Sequence, residues 1–416
     1  MSTIPGKSTT QESTDYCGRF AGATPAGVAD NVIPPGLNGN EDVWAQDEFQ
    51  IGIQEAPYHS MEVVLDSKRD GMGSPSGGLT PFPPGLLGVD FGHIQISDGS
   101  AVDSLDSFGN LEVSPPCTVG GIHYPFGRIY YGDGGATGRR MDADVRDFLD
   151  RQRVQSPVTL DSDWLHVGHV DEFMSILPDP TGTHGWKVVL ADPHLAVDLL
   201  APGGAHPGVD PDLYIPRYAP LPPTGFGVGT IGQLLAKPLV NPIPNGSATI
   251  EEYNQNEVEA ILYGPPSAGH TGGLKAAIRS AFGLTNADFI EVPVLFDRGS
   301  VWDAMSTRSV AITPDLANGA VYPGTYIAPD NFLSSQANPE EDIDADFILD
   351  AGEDSNGNGL LDTGRDRFHL YLDTILPGGM AGVYIDDWAI YHIGEGEVHC
   401  SSNEKRTIPG AVHWWE

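Results

Sequence analysis

After residue 43 the chain alternates short apolar runs with glycine- and proline-rich breaks. Strands are predicted at 49–53, 61–65, 128–131, 186–190, 289–292 and 383–385, where β-branched and aromatic residues cluster. The segment 164–178 reads as a strand pair. Helical spacing appears at 141–149, with acids in its first turn, and again at 250–262, 275–282 and 367–376. Between them, 200–247 is rich in proline and glycine and predicts a surface excursion. Residues 1–43 carry no helix or strand period and read as a lead-in. Strands and helices alternating along the chain predict a mixed α/β domain.

Composition narrows this picture. The 416 residues are 40% hydrophobic, enough for a core, while Gly 52 and Pro 35 imply many turns. Lys and Arg number 21 against 57 Asp and Glu, a net charge of −36. That balance argues against nucleic acid as a partner, because phosphate contacts need basic side chains. It suits cationic substrates or calcium, and equally a solubility role in a salty setting. Cys17, Cys117 and Cys400 form neither a disulfide framework nor a zinc pattern. The first 14 residues hold no apolar stretch of the signal-peptide kind, and no run approaches the roughly 18–20 residues that span a bilayer. A soluble protein with no membrane partner is the expectation.

Three segments offer chemistry. Cys400 ends the run GEGEVHC (394–400); VGHVD (167–171) supplies His169 and Asp171; WAQDE (44–48) supplies Asp47. A thiol, an acid/base and two carboxylates suit a planar guanidinium, whose fixed fork of N–H donors pairs with carboxylates. Taken alone, a lone cysteine is more often a small buried hydrophobe.

WAQDE, LDSFGNLEVSPP (105–116), DSDWLHVGHVDEF (161–173) and YHIGEGEVHC (391–400) resemble, in this order, the catalytic domain of protein-arginine deiminases. The likeness runs with gaps from Trp44 to Trp415. It implies a five-bladed α/β propeller of the pentein type. The 43 residues before Trp44 lack a strand–helix–strand pattern, so an abbreviated, replaced or missing first blade is expected, with 44–416 forming the catalytic domain. By the same resemblance Asp47, His169, Asp171 and Cys400 are the catalytic residues. Asp47 and Asp171 would hold the guanidinium, Cys400 would attack its carbon, and His169 would protonate the departing ammonia and then activate water. Trp44 and Val167 would line the arginine stem. Gly71 and Gly394 stand where relatives place arginines that grip the substrate. His166 and His399 read as neighbours of the site, and a zinc pair of His166 with His169 is not expected.

The resemblance also implies two calcium ions beside the site. Gln46, Gln50, Phe108, Leu111 and Glu112 match the ligands of one, the two apolar residues through backbone carbonyls; Gln50 replaces a glutamate and weakens it. Glu48, Asp66, Ser67 and Asp70 match the other, where Asp70 replaces an asparagine. Independently, two consecutive 12-residue units carry oxygen side chains at EF-hand-like spacing within a stretch, 338–366, that reads as an insertion. They are Asp342, Asp344, Asp346, Asp350 and Glu353, then Asp354, Asn356, Asn358 and Asp362. Neither copy is complete, so a calcium loop stands beside a solvated acidic loop.

The leading functional expectation is calcium-dependent conversion of arginine in a protein or peptide to citrulline. A deiminase of a small free guanidine is the alternative that Gly71 and Gly394 favour. A non-catalytic calcium-binding interaction protein is the third.

Overall fold

The computed structural model describes residues 42–57, 59–69, 79–80, 82–89, 91–96, 102–136, 138–201, 209–264, 273–333, 352–353, 355 and 366–403. Among them, one arrangement of strands recurs four times. In the first, β1 (Phe49–Ala56) pairs antiparallel with β2 (His59–Asp66), which pairs in parallel with β3 (Phe91–Gln95). The second contains β4 (Leu111–Val113), β7 (Ile129–Gly132) and β8 (Val158–Leu160), with a hairpin of β5 (Cys117–Val119) and β6 (Ile122–Tyr124) inserted. The third contains β9 (Met174–Pro178), β10 (Trp186–Asp192) and β11 (Phe289–Pro293). A short antiparallel pair follows, β12 (Phe296–Arg298) with β13 (Ser309–Ala311). The fourth contains β14 (Ala320–Tyr322), β15 (Thr325–Pro329) and β16 (Ala381–Ile385).

Each sheet thus pairs its first two strands antiparallel and then crosses over, and a parallel pair requires a crossover, usually helical. The helices Phe82–Gly85, Ala143–Gln152, Pro193–Leu200, Gly273–Phe282 and Arg367–Ile375 lie in these crossovers. Three of them begin at an aspartate whose carboxylate accepts backbone N–H bonds of the first turn: Asp142 from Asp144, Asp192 from Leu195, and Asp366 from Phe368. Part of the acid-rich composition therefore serves local structure.

Sheet and helix bury a core in each unit. Phe49, Val64 and Phe91 meet Phe82 in the first. Phe108, Leu111 and Tyr131 meet Val145 and Leu149 in the second, and one larger cluster joins the third and fourth.

Three expectations need correction. The segment 164–173 is not a strand: a 3₁₀ turn (Val170–Glu172) precedes β9, and Gly168 has φ +91°. Apart from one bridge, in which the His166 N–H donates to Ser309 O and the Ser309 N–H to Trp164 O, side chains satisfy much of its backbone. Arg139 donates to the carbonyls of Leu165 and His166 at 2.7 and 2.9 Å, and Glu172 accepts from the N–H groups of Gly168 and His169 at 2.7 and 2.6 Å. Residues 209–247 are not a surface excursion, because Val209, Leu213, Ile215, Tyr218, Ile231 and Leu234 are buried in the largest core cluster. The helix over 250–262 is interrupted by a π turn (Asn254–Val258). There Asn254 donates to Ile250 O and Phe296 O and accepts from the Phe296 N–H, which anchors the turn to β12. The remaining predicted strands and helices stand within a few residues of their expected bounds.

Candidate active site

The candidate residues share one structural position. Asp47 lies in the single turn Ala45–Glu48, directly before β1. The 3₁₀ turn Phe108–Asn110 directly precedes β4, Val170–Glu172 with Asp171 precedes β9, and Asn318 precedes β14. Cys400 sits in a turn beyond β16. Four segments far apart in sequence therefore converge because each enters its sheet from the same end, and Cys400 joins them from beyond the last described strand. Beside them, a narrow cavity is lined by Glu112 of β4, Ser175 of β9, Val321 of β14, and His399.

Backbone and side-chain bonds lock the turns together. Asn318 Nδ2 donates to Asp171 O at 3.0 Å and to Cys400 Sγ at 3.2 Å, while Asn318 Oδ1 accepts from the His399 N–H at 3.1 Å. The Gln46 N–H donates to Cys400 O at 3.1 Å, tying the Asp47 turn to the cysteine. His399 Nδ1 lies 3.0 Å from Asp171 Oδ2, so this histidine braces the site carboxylate rather than merely flanking it. His166 turns away toward Ser306 Oγ, 3.0 Å from its Nδ1, and forms no pair with His169.

His169 Nε2 lies 2.8 Å from Ser104 O, which makes it the N–H donor. Its Nδ1 is then the exchangeable nitrogen, 3.4 Å from Asp47 Oδ1. Asp47 Oδ1, Asp171 Oδ1 and His169 Nδ1 are all buried without a hydrogen-bond partner. Native interiors rarely leave such groups unmet. The side chains crowd against the backbone of Gly109: a Cβ there would lie 2.6 Å from Asp47 Oδ1, 2.6 Å from His169 Nδ1 and 3.3 Å from Asp171 Oδ2. Only a residue without a side chain lets the two acids and the imidazole approach the backbone this closely.

Electrostatically the site favours a cation. Burial pushes the Asp47 carboxyl above its usual range, with His169 and Arg69 opposing. Burial, then Asp171 and Asp47, push the Cys400 thiol well above its ordinary value. A positive ligand between the carboxylates would relieve both.

Trp44 is walled by glycine. A Cβ on Gly394 or Gly396 would come within 3.0 or 2.5 Å of its ring, and Tyr391 packs at 5.8 Å between centroids. Gly394 is thus a packing contact of the indole. Val167 is half-buried on the loop that Arg139 braces.

Both expected cation sets are brought together where described. Gln46, Gln50, Glu112 and the Phe108 and Leu111 carbonyls form one group, with Gln50 Nε2 donating to both carbonyls. Glu48, Asp66 and Ser67 meet where β1 and β2 pair, and Glu48 Oε1 is a buried carboxylate oxygen without a partner. That orphaned oxygen fits a hard cation. Arg69 holds the other Glu48 oxygen at 3.1 Å and Asp42 at 3.0 Å.

Asp70, Gly71, Asp342, Asp344, Asp346, Asp350, Asp354, Asn356, Asn358 and Asp362 lie outside the described residues. Glu353 lies in a turn. Asp330, Asp366 and His369 present ligand atoms within 4.8 Å of one another, yet Asp366 Oδ2 accepts from Leu333 and His369 Nε2 from Asn331.

Gly109, Asn318, Arg69 and Arg139 were not singled out from sequence. Gly109 lies inside the LDSFGNLEVSPP segment, and Asn318-Gly319 is an ordinary turn signal that says nothing of a thiol.

The protein-arginine deiminase family profile matches residues 26–207 and 364–416. Protein-arginine deiminase type-3 of Rattus norvegicus is 32% identical over 403 residues, covering 94% of this chain and 50% of that protein. Type-4 of Homo sapiens is 30% identical over 92% of this chain and 49% of its own length, and type-1 of Homo sapiens 31% over 92% and 49%. The chain spans about half the length of the curated relatives it matches. The profile covers the Asp47, His169, Asp171 and Cys400 segments alike, and this chain belongs to the protein-arginine deiminase family.

Proposed function

We propose that this chain hydrolyses arginine in a protein or peptide to citrulline and ammonia through a covalent Cys400 intermediate. The observation that carries this reading is the gathering of Asp47, His169, Asp171 and Cys400, with Asp47 Oδ1, Asp171 Oδ1 and His169 Nδ1 buried and without hydrogen-bond partners. A guanidinium supplies planar donors and a positive charge to the two carboxylates. A non-catalytic role leaves these atoms without a purpose.

The two carboxylates grip the guanidinium and turn its carbon toward sulfur. Binding the cation favours the Cys400 thiolate, whose proton leaves to solvent. Sulfur adds to the carbon; the C–N bond breaks, and the nitrogen departs as ammonia on taking the proton held at His169 Nδ1. The same nitrogen then removes a proton from water, which adds to the thiouronium carbon. The C–S bond breaks and the added hydroxyl loses its proton to solvent, leaving the urea carbonyl of citrulline and a free thiolate.

We also propose that the four recurrent sheets belong to a five-bladed propeller whose first blade is abbreviated, replaced or missing, with the cavity on its axis. Calcium at Glu48, Asp66 and Ser67, with Asp70, would supply charge compensation beside Asp47 and hold its turn. The tandem acidic units between 342 and 362 would bind calcium in a structural role. A second reading, deimination of a small free guanidine, is favoured by Gly394, which lies against Trp44 and offers no side chain to grip a peptide. Among the described residues no helix is long and apolar enough to cross a membrane, and the acidic surface disfavours nucleic acid.

The test is citrulline and ammonia release from an arginine peptide and from free arginine, with calcium or EDTA, beside Cys400→Ala. Calcium-dependent release abolished by the substitution is expected, with kcat/KM favouring the peptide. A preference for free arginine would transfer the conclusion to the second reading, and no release from either would remove both.

A further inference from the structure

Two side-chain amides occupy the group of oxygens that the family likeness marks for an ion. Gln50 Nε2 donates to Phe108 O at 3.2 Å and to Leu111 O at 2.8 Å. Gln46 Nε2 donates to Glu112 Oε1 at 2.7 Å. Three of the oxygens that would face a cation are therefore met by N–H groups, which present positive charge where the ion would sit.

The donor set points the same way. Calcium takes 6–8 oxygens, and its affinity follows the charge of its ligands. Glu112 is the single carboxylate among these five residues, and its Oε1 also lies 3.6 Å from His399 Nε2. Turning the Gln50 amide over would offer an oxygen to an ion, but only by aiming it at two carbonyl oxygens. At the other pocket the situation is reversed, because Glu48 keeps a buried carboxylate oxygen with no partner.

We infer that the Gln46–Gln50–Glu112 pocket holds no calcium in this protein, and that the Gln50 amide does the mechanical work of the ion. It fastens the 108–111 turn, which carries Gly109, to β1, whose preceding turn carries Asp47. The space for the guanidinium is then set by an uncharged bridge that needs no metal. Gln50 acts here as a positioning residue. The inference rests on the deiminase reading for what the pocket corresponds to, but its measurement is binding and not turnover.

The experiment counts calcium ions bound to the full chain by equilibrium dialysis, for wild type, Gln50→Ala and Gln50→Glu, with Tm in calcium and in EDTA. Gln50→Ala is expected to bind as many ions as wild type and to lower Tm equally in both conditions. Gln50→Glu is expected to bind one ion more, with a Tm depressed in EDTA and restored by calcium. One ion fewer in Gln50→Ala, or no extra ion in a folded Gln50→Glu, would overturn the inference. If Gln50→Glu does not fold, the count in Gln50→Ala decides. A protein that binds these numbers of ions yet turns over no guanidine would sink the deiminase reading and leave the pocket inference standing.

Discussion

Cys400 Sγ lies 3.5 Å from Asp171 Oδ2, so the nucleophile candidate shares a buried contact with one of the carboxylates meant for its substrate. In the free protein that neighbour, together with burial, disfavours the thiolate. Alkylation of Cys400 by neutral iodoacetamide should therefore rise with pH and reach half its maximum above the free-thiol value of about 8.5. Asp171→Asn removes a negative neighbour and should lower that midpoint. A wild-type midpoint near neutrality would show that the thiolate is preformed and needs no cationic substrate.

Gly109→Ala places a methyl group 2.6 Å from Asp47 Oδ1 and His169 Nδ1. The substitution should cost on the order of 10²-fold or more in kcat/KM, since a misplacement of about 1 Å costs that much. Thermal stability should also fall, because a methyl group there lies below van der Waals distance of Asp47 and His169 and forces them to shift. Steady-state kinetics beside a melting curve check both halves. Retained activity would place the guanidinium elsewhere.

Asn318 holds Cys400 Sγ, the Asp171 carbonyl and the His399 N–H at once. Asn318→Asp keeps the shape but adds a negative charge beside sulfur. We expect kcat to fall at neutral pH, KM to change less, and the alkylation midpoint to move upward. An unchanged midpoint would reduce Asn318 to a structural tie.

Glu397 lies under the cysteine turn, accepting from His392 Nδ1 at 2.7 Å and the Asp315 N–H at 3.1 Å. Burial, with Asp315 adding to it, raises its carboxyl from 4.5 to about 8. A raised folded value means that the folded chain holds the proton more tightly. Its stabilising contribution is full below pH 4.5 and is lost as pH rises through about 8. Glu397→Gln keeps an acceptor oxygen without the charge, and should flatten the fall of Tm across that range. A wild-type-like pH profile in Glu397→Gln would mean that another group carries the dependence.

Much of this was legible in one dimension. The strands 49–53, 61–65 and 186–190 are apolar runs with β-branched residues, and the helices Ala143–Gln152 and Arg367–Ile375 follow the helical spacing at 141–149 and 367–376. Such signals are local, and local propensity suffices to set them. The segment 164–173 misled because its apolar residues look like a strand, while it makes only a single bridge and takes other backbone bonds from Arg139 and Glu172. No pattern of spacing reveals a partner 27 residues away.

By itself the sequence determined which reactive groups exist, the α/β alternation and the order of the site-bearing segments. The four segments also carry the family likeness, because side-chain identity is written in the chain. Only the tertiary structure decided that Asp47, Gly109, Asp171 and Asn318 all enter their sheets at one end, and that the backbone of Gly109 packs against Asp47, His169 and Asp171. It also decided that Gln50 turns an amide, where an ion was expected, toward two carbonyls. Those outcomes depend on contacts between residues more than fifty positions apart. Chain crossover and packing, which no local window contains, bring such residues within hydrogen-bond reach.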